Sequence, residues 1–207
     1  PLSKKMSKLL SLLDTGISRI GSEEIPFENI LLNEKEKILL RENITQGKAF
    51  GIIVEATGDR FVTTLVNGEV STKRLITFHD SKKSAEVRFE MRQESDGSKR
   101  VMDLLPAFMD LSDNKIGKVY VIDEIDRSLH TLLTRHLLDY FLNACNENSM
   151  SQLLFTTHDV LLIDQSLLRR DEIWVTERNR FGESSLFSFG DYKGIRYDKD
   201  IRKSYLQ

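Results

Sequence analysis

The segment Lys118–His130, KVYVIDEIDRSLH, constrains the fold of this chain more than any other. Four apolar residues, 119–122, run directly into the carboxylates of Asp123 and Glu124. A short run without polar residues is typical of a parallel strand that is buried on both faces. The segment therefore predicts an α/β fold in which two acidic side chains follow one strand of a parallel sheet.

A second predicted strand, Leu153–Thr157, is followed by His158 and Asp159. In open α/β sheets, ligands bind outside the carboxyl ends of the strands. Polar side chains that follow two such strands therefore indicate a binding site for a nucleotide phosphate between them. In this interpretation Asp123 holds Mg²⁺, Glu124 orients or deprotonates a water molecule, and His158 donates a hydrogen bond to the γ-phosphate.

The same residues also have structural interpretations. Asp123 and Glu124 would cap the following helix, which the spacing of apolar residues predicts at Ser128–Asn146. Asp126 would either cap that helix or lie at a contact between subunits. His158 alone would be a histidine whose hydrogen bonds are satisfied within the fold, but its position at the end of a strand favours the functional interpretation.

The sequence pattern of the N-terminal part of the chain predicts antiparallel β structure. Asn67-Gly68 between two apolar runs is a strong signal for a hairpin turn. The strands predicted there are Phe50–Glu55, Arg60–Leu65, Lys73–His79 and Glu86–Met91. A short amphipathic helix is predicted over residues 3–13, and a charged helical stretch over Asn33–Asn43. We therefore expect residues 1–92 to form a helical and antiparallel β region, and residues 93–207 to form a separate α/β subdomain.

Helices and strands alternate in the second region. Lys99–Leu111 has an apolar face and predicts a helix, in which Pro106 predicts a kink or an early stop. The segments Ile173–Thr176 and Ser185–Phe189 predict a hairpin around Gly182.

The segment Glu94–Arg100 opens the first of these helices. Ser95 is suited to cap the helix, and Gly97 allows the backbone to come close to a ligand. The free N–H groups at such a helix end form an anion-binding site. Most helix starts of this kind are only caps, but the acidic strand end that follows this one favours a site for phosphate.

Composition excludes several other classes of protein. The 207 residues are 40% hydrophobic and 30% charged, which is typical of a folded globular protein. A net charge of −2 indicates neither a nucleic-acid nor a membrane partner, and leaves room only for a local basic patch. Cys145 is the single cysteine, and no apolar run reaches the length of a membrane span. We therefore expect a cytoplasmic protein.

Three segments together resemble a known family: Glu94–Gly97, the run VIDEIDRSLH at 121–130, and FTTHD at 155–159. They look like the C-terminal half of an ABC-type AAA ATPase, within the prokaryotic group related to the OLD, RecF and SMC ATPases. The resemblance covers about residues 90–192. It implies a P-loop NTPase-like fold of the ABC ATPase type, with a parallel sheet, flanking helices and an antiparallel β and helical insertion.

The resemblance also implies functional roles, residue by residue. The matches are Ser95, Gly97 and Ser98 to the signature motif, Asp123 and Glu124 to Walker B, Asp126 to the D-loop, and His158 to the switch histidine. It implies ATP and Mg²⁺ as cofactors and a homodimer formed through the signature motif and the D-loop. Many members of the group serve in anti-phage defence, so an effector protein (a nuclease or toxin) and nucleic acid are further expected partners.

One departure from the family is large. The chain contains no phosphate loop of the form Gly-x-x-x-x-Gly-Lys-Ser/Thr. Gly47-Lys48 is followed by Ala49, and Glu42 stands where the first glycine belongs. We therefore expect residues 1–207 to be the C-terminal part of a longer ATPase. Alone, this part should bind ATP poorly and hydrolyse little or none.

Three rival functions remain open. Asp123–Asp126 also fits the D-E-x-D motif of a helicase, although no arginine-rich motif follows residue 160. His158-Asp159 fits a metal-dependent phosphohydrolase, although that fold is helical. A regulatory module that dimerises and signals to an effector without hydrolysis is consistent with the missing phosphate loop.

Overall fold

The computed structural model describes residues 9–10, 13–45, 47–82, 85–111 and 117–191. The chain divides into two compact units, unit 1 (Pro1–Leu105) and unit 2 (Pro106–Gln207). The helix predicted over residues 3–13 lies largely outside the described residues, although Leu9 and Leu10 are helical and buried. None of the described helices is both long enough and apolar enough to cross a membrane.

Unit 1 contains an antiparallel sheet of five strands. They are β1 (Ile17–Ile25), β2 (Ala49–Val54), β3 (Asp59–Val66), β4 (Glu69–His79) and β5 (Val87–Glu90). The strand order is β1-β4-β3-β2, and β5 pairs with β4. The four predicted strands are confirmed. So is the turn between β3 and β4, because Asn67 and Gly68 both have a positive φ, as a two-residue hairpin turn requires.

Strand β1 was not predicted from the sequence. Its segment, ISRIGSEEI, has few apolar residues, and only Ile17 is buried. Its formation depends instead on backbone pairing with β4, from Ile17 opposite His79 to Ile25 opposite Thr72. Backbone pairing of this kind leaves little trace in a hydrophobic pattern.

Local capping and apolar burial hold the rest of unit 1. Helix α1 (Glu34–Asn43) begins at a capping box in which Asn33 and Glu36 each accept a hydrogen bond from the other's backbone N–H. The helix predicted over residues 33–43 is thus confirmed. One side of the sheet packs on a cluster of buried residues: Phe27, Ile30, Ile44, Ile52, Val54 and Phe61.

Helix α2 (Asp96–Leu111) contains Pro106 and spans the boundary between the two units. The predicted apolar face is confirmed, because Val101, Leu104, Leu105 and Phe108 are all buried. The early stop at Pro106 is wrong, since the helix continues for another turn. Proline removes a single backbone donor, whereas the apolar face is buried on both sides of it and keeps the segment helical.

Unit 2 carries the parallel strand pair. Its elements are β6 (Val119–Ile122), helix α3 (Thr131–Ala144), β7 (Gln152–Phe155), β8 (Trp174–Arg178) and β9 (Ser184–Ser188). β6 and β7 are parallel neighbours, and α3 forms the connection between them, as predicted. β8 and β9 form the predicted hairpin, with Gly182 in its turn.

The β6–β7 pair is not buried on both faces, so the sequence-based expectation for β6 is wrong. Val119, Val121 and Leu154 are 66%, 72% and 61% exposed. Ile122 points to the opposite face and is buried. Among the residues that the structure describes, the parallel sheet has only these two strands and one covered face.

Candidate active site

The two acids that follow β6 lie on a sharply turned backbone. Glu124 has a φ of +48°, in the left-handed region that non-glycine residues seldom adopt. Its N–H donates to the Thr156 hydroxyl oxygen at 2.9 Å, and the next N–H, that of Ile125, donates to the Thr156 carbonyl at 3.0 Å. The turn therefore keeps Asp123 and Glu124 at the carboxyl end of the sheet.

His158 lies beside Glu124 at this edge. The distance between His158 Nε2 and Glu124 Oε1 is 3.6 Å. The two side chains are 84% and 45% exposed, so both are accessible from solvent. Two of the residues predicted for the site therefore face each other across the ends of neighbouring strands.

Thr156 is a site residue that sequence reasoning missed. Its hydroxyl donates a hydrogen bond to Asp123 Oδ1, in addition to accepting the one from Glu124. The register between β6 and β7 is the signal that points to this residue. Because Ile122 pairs with Phe155, the last residue of β7, the residue that follows stands opposite Asp123.

The segment between β6 and α3 is a series of turns rather than the start of a helix. Ser128 has a φ of +61°, so the helix predicted from that residue begins only at Thr131. His130 caps it, with Nδ1 accepting from the Leu132 N–H at 3.3 Å. The interpretation of Asp123 and Glu124 as helix caps is therefore wrong.

Asp126 does not cap α3 either, because His130 occupies that position. Its carbonyl accepts the Leu129 N–H at 2.9 Å and closes a turn. Its Oδ1 is buried, and no hydrogen-bond partner for it occurs among the described residues. Ile125, which precedes it, is fully buried and anchors the turn. Contact with another subunit stays a prediction.

Asp159 accepts hydrogen bonds from one backbone N–H and one hydroxyl group. Its carboxylate accepts from the Leu161 N–H at 2.9 Å and from the Thr131 hydroxyl. In the described part of the chain, no group of three His, Cys, Asp or Glu side chains is arranged to hold a metal ion. The interpretation of His158-Asp159 as a metal-ligand pair stays a prediction.

Asp123 and Thr156, which follow the ends of β6 and β7, fit Mg²⁺ that is bound together with a ligand. Mg²⁺ prefers oxygen ligands, keeps several waters, and is commonly held by one or two carboxylates together with substrate phosphates. Asp123 offers an exposed carboxylate, and Thr156 offers a hydroxyl within hydrogen-bond distance of it. This donor set fits Mg²⁺ bound together with a nucleotide, rather than an ion held by protein alone.

The signature-like residues lie at the start of α2, in unit 1. Ser95 caps the helix, accepting from the Ser98 N–H at 3.1 Å, as predicted. The helix begins at Asp96, three residues earlier than expected. The Ser98 side chain is buried, with its hydroxyl 3.0 Å from that of Ser95. Ser95 is exposed and Gly97 is half-buried.

Glu94, immediately before this cap, is held inside unit 1. It is 8% exposed and accepts a hydrogen bond from the Thr77 hydroxyl. His79 Nε2 lies 2.7 Å from the same carboxylate oxygen. Glu94 thus ties the start of α2 to strand β4.

Neither Gly-Lys pair of the described chain forms a phosphate loop. Gly47 has a φ of +81° and lies in the turn before β2. Gly117-Lys118 leads into β6, and the Lys118 ammonium forms an ion pair with Asp110. The residues at the carboxyl ends of β6 and β7 (Asp123, Glu124, Thr156 and His158) belong to unit 2. The signature-like residues Ser95, Gly97 and Ser98 belong to unit 1.

Arg135 of α3 fixes the segment that follows His158. It donates to the Asp164 carboxylate at 2.7 Å, and the Ser166 N–H and hydroxyl each donate to the same group at 2.8 Å. These donors, Arg135 above all, lower the pKa of Asp164 from 3.8 to about 2.

We expect the contribution of Asp164 to stability to depend on pH. Because its pKa is lowered on folding, the contribution is complete above about pH 4 and disappears as the pH falls through about 2. Asp164→Asn should therefore lower the unfolding free energy by about 1–2 kcal/mol at neutral pH and by much less near pH 2. Urea titrations of parent and variant at both pH values measure this. An equal difference at both would contradict it.

Comparison with known proteins supplies the family. Residues 7–164 match the family model described as "AAA domain, putative AbiEii toxin, Type IV TA system". No curated protein matches the chain significantly. The matched span includes the signature-like segment, both parallel strands and His158. Since it covers more than half of the chain, the chain belongs to this family of AAA domains, which are nucleotide-binding domains of the P-loop ATPase type.

Proposed function

We propose that this chain is the C-terminal part of an ABC-type ATPase that works as an ATP-gated dimer. The observation that carries the proposal is the group at the end of the parallel strands. Asp123, Glu124 and His158 follow the ends of these strands, and the Glu124 and His158 side chains are 3.6 Å apart. A metal-binding carboxylate, a base and a hydrogen-bond donor at one sheet edge are what hydrolysis of a nucleoside triphosphate requires.

Each residue has one role in the proposal. Asp123 holds Mg²⁺, which would neutralise charge on the β- and γ-phosphates when bound. Glu124 orients the attacking water and accepts its proton. His158 donates a hydrogen bond to the γ-phosphate. The exposure of Glu124 and His158 supports these roles, because ligand and water must reach both side chains.

In the proposed dimer, the residues at the start of α2 contribute to the ATP site of the other subunit. Ser95 caps a 16-residue helix, and Gly97 and Ser98 lie in its first turn, whose N–H groups favour an anion. In the proposed dimer they complete the ATP site of the opposite subunit, and Asp126 lies at the subunit contact. The exposure of Ser95 supports such a contact.

The phosphate loop would come from a segment upstream of this chain. Parallel sheets are ordinarily covered on both faces. The exposed face of β6 and β7, with Val119, Val121 and Leu154, supports the view that further structure packs there. We call a polypeptide that contains both this chain and the phosphate loop the intact ATPase.

The cellular role we propose is a defence or DNA-transaction system of the group related to OLD, RecF and SMC ATPases. The family description names a toxin and a toxin–antitoxin system, which supports a protein effector as partner. Nucleic acid is the other proposed partner.

The proposal predicts that residues 1–207 alone show no ATP hydrolysis above background. Asp123 has no phosphates with which to share Mg²⁺ when the backbone N–H groups of a phosphate loop are missing. The intact ATPase should bind ATP and hydrolyse it. Equilibrium binding of a fluorescent ATP analogue and phosphate release, measured on both proteins, test this. Turnover by residues 1–207 near one per second, on the order of rates for such enzymes, would contradict it.

The same assay separates a second candidate, a regulatory module without hydrolysis. The missing phosphate loop is the observation that favours it. If the intact ATPase binds ATP and dimerises but releases no phosphate, the regulatory function replaces the one proposed.

A further inference from the structure

We propose that Thr156 is a positioning residue that sets both acids of the site at once. The inference rests on the proposed function, since it assigns a role within the same site. This residue does not belong to the matched signature, Walker B, D-loop or switch positions. The spacing of the acids does not point to it either. The strand register and the hydrogen bonds of the structure do.

A threonine hydroxyl has one proton to donate and lone pairs that accept. Thr156 donates its proton to Asp123 Oδ1 and accepts the backbone N–H of Glu124 at 2.9 Å. One side chain, immediately after β7, therefore orients the carboxylate of the first acid and the backbone of the second.

The conformation of Glu124 gives the second contact its importance. A φ of +48° is unfavourable for glutamate and persists only where surrounding contacts impose it. The Thr156 side chain and main chain impose it together, because the Ile125 N–H donates to the Thr156 carbonyl. Loss of the hydroxyl removes the contact on the N–H of Glu124 itself and relaxes the direction of its side chain.

The hydrogen bond from Thr156 to Asp123 would affect the affinity of the site for a metal ion. Groups that hydrogen-bond a metal-binding carboxylate fix its orientation, and their mutation typically costs 10–100-fold in metal affinity or activity. Because Thr156 is exposed, replacing it by the similarly shaped valine removes the hydroxyl without opening a cavity in a core. Its role in positioning can therefore be separated from a role in stability.

The test uses three variants of the intact ATPase. Thr156→Val removes the hydroxyl, and Thr156→Ser keeps it. Thr176→Val makes the same chemical change at an exposed position of β8, on a different sheet. Mn²⁺ affinity is measured by electron paramagnetic resonance with ATP present, in a Glu124→Gln background that retains ATP. The rate of ATP hydrolysis is measured as a function of Mg²⁺ concentration in variants that retain Glu124. The melting temperature is measured with Glu124 and with the Glu124→Gln substitution.

We expect Thr156→Val to weaken Mn²⁺ binding by about 10–100-fold and to raise the Mg²⁺ concentration for half-maximal hydrolysis accordingly. Thr156→Ser and Thr176→Val should stay close to the parent, and all melting temperatures should be similar. Parental Mn²⁺ affinity and Mg²⁺ dependence in Thr156→Val would overturn the inference.

Asp123→Ala is measured beside these variants to separate this inference from the proposed function. If Asp123→Ala loses Mn²⁺ binding while Thr156→Val does not, the proposed function stands and the role of Thr156 is wrong. If Asp123→Ala binds Mn²⁺ and hydrolyses ATP like the parent, the proposed function itself fails, and the inference fails with it.

Discussion

Glu124→Gln in the intact ATPase should bind ATP normally and hydrolyse it about 10²–10⁴-fold more slowly, the usual contribution of a general base. The amide has nearly the shape of the carboxylate but cannot accept a proton from water. The backbone contact to Thr156 at 2.9 Å does not involve the Glu124 side chain, so the turn at the strand edge should persist. Single-turnover phosphate release and equilibrium ATP binding measure the two effects separately.

Glu177→Gln is the matched control for this prediction. Glu177 is exposed on β8, on a different sheet from the candidate site, so the same chemical change there should leave hydrolysis unaltered. Hydrolysis at the parental rate by Glu124→Gln would show that Glu124 is not the base. A loss of ATP affinity with the rate unchanged would assign it to binding instead.

Ser95→Arg should abolish ATP-dependent dimerisation of the intact ATPase while ATP binding by the monomer is retained. Ser95 is exposed at the N-terminus of α2, and arginine would add both bulk and charge where the second copy brings its ATP. Light scattering with and without ATP measures dimerisation, and a fluorescent ATP analogue measures binding.

The arginine also removes the cap of α2, which costs about 1 kcal/mol in helix stability. Ser95→Ala removes the cap without bulk or charge and shows how much that loss alone contributes, while Ser95→Thr keeps the hydroxyl that accepts the Ser98 N–H. Dimerisation of Ser95→Arg at the parental ATP concentration would rule out the start of α2 as the subunit contact.

The parts of the fold that depend on local patterns could be predicted from the sequence. The apolar runs predicted β6 and β7 as parallel neighbours, and the Asn67-Gly68 pair predicted the turn between β3 and β4. Strand β1 could not be predicted, because pairing with β4 rather than burial stabilises it. The exposed face of β6 could not be predicted either, since an apolar run gives no information on whether its covering structure is present.

The candidate site divides in the same way. Asp123, Glu124 and His158 stand out because acids and a histidine at strand ends are unusual. Thr156 does not stand out, because threonine is common in strands and its role depends on a register between two strands. Glu94 entered the prediction only as part of the segment that opens α2. Its contacts with Thr77 and His79 arise from residues distant in the sequence.

In the proposed dimer each ATP site combines residues of two copies, which a mixture of two inactive variants can test. Glu124→Gln lacks the base, and Ser95→Arg lacks the signature contact. In a mixed dimer, one site pairs the intact Glu124 of one copy with the intact Ser95 of the other. We predict that the mixture hydrolyses ATP well above the sum of the two variants measured alone. Activity equal to that sum, at protein concentrations where pull-down of one tagged variant shows that mixed dimers form, would contradict the shared site.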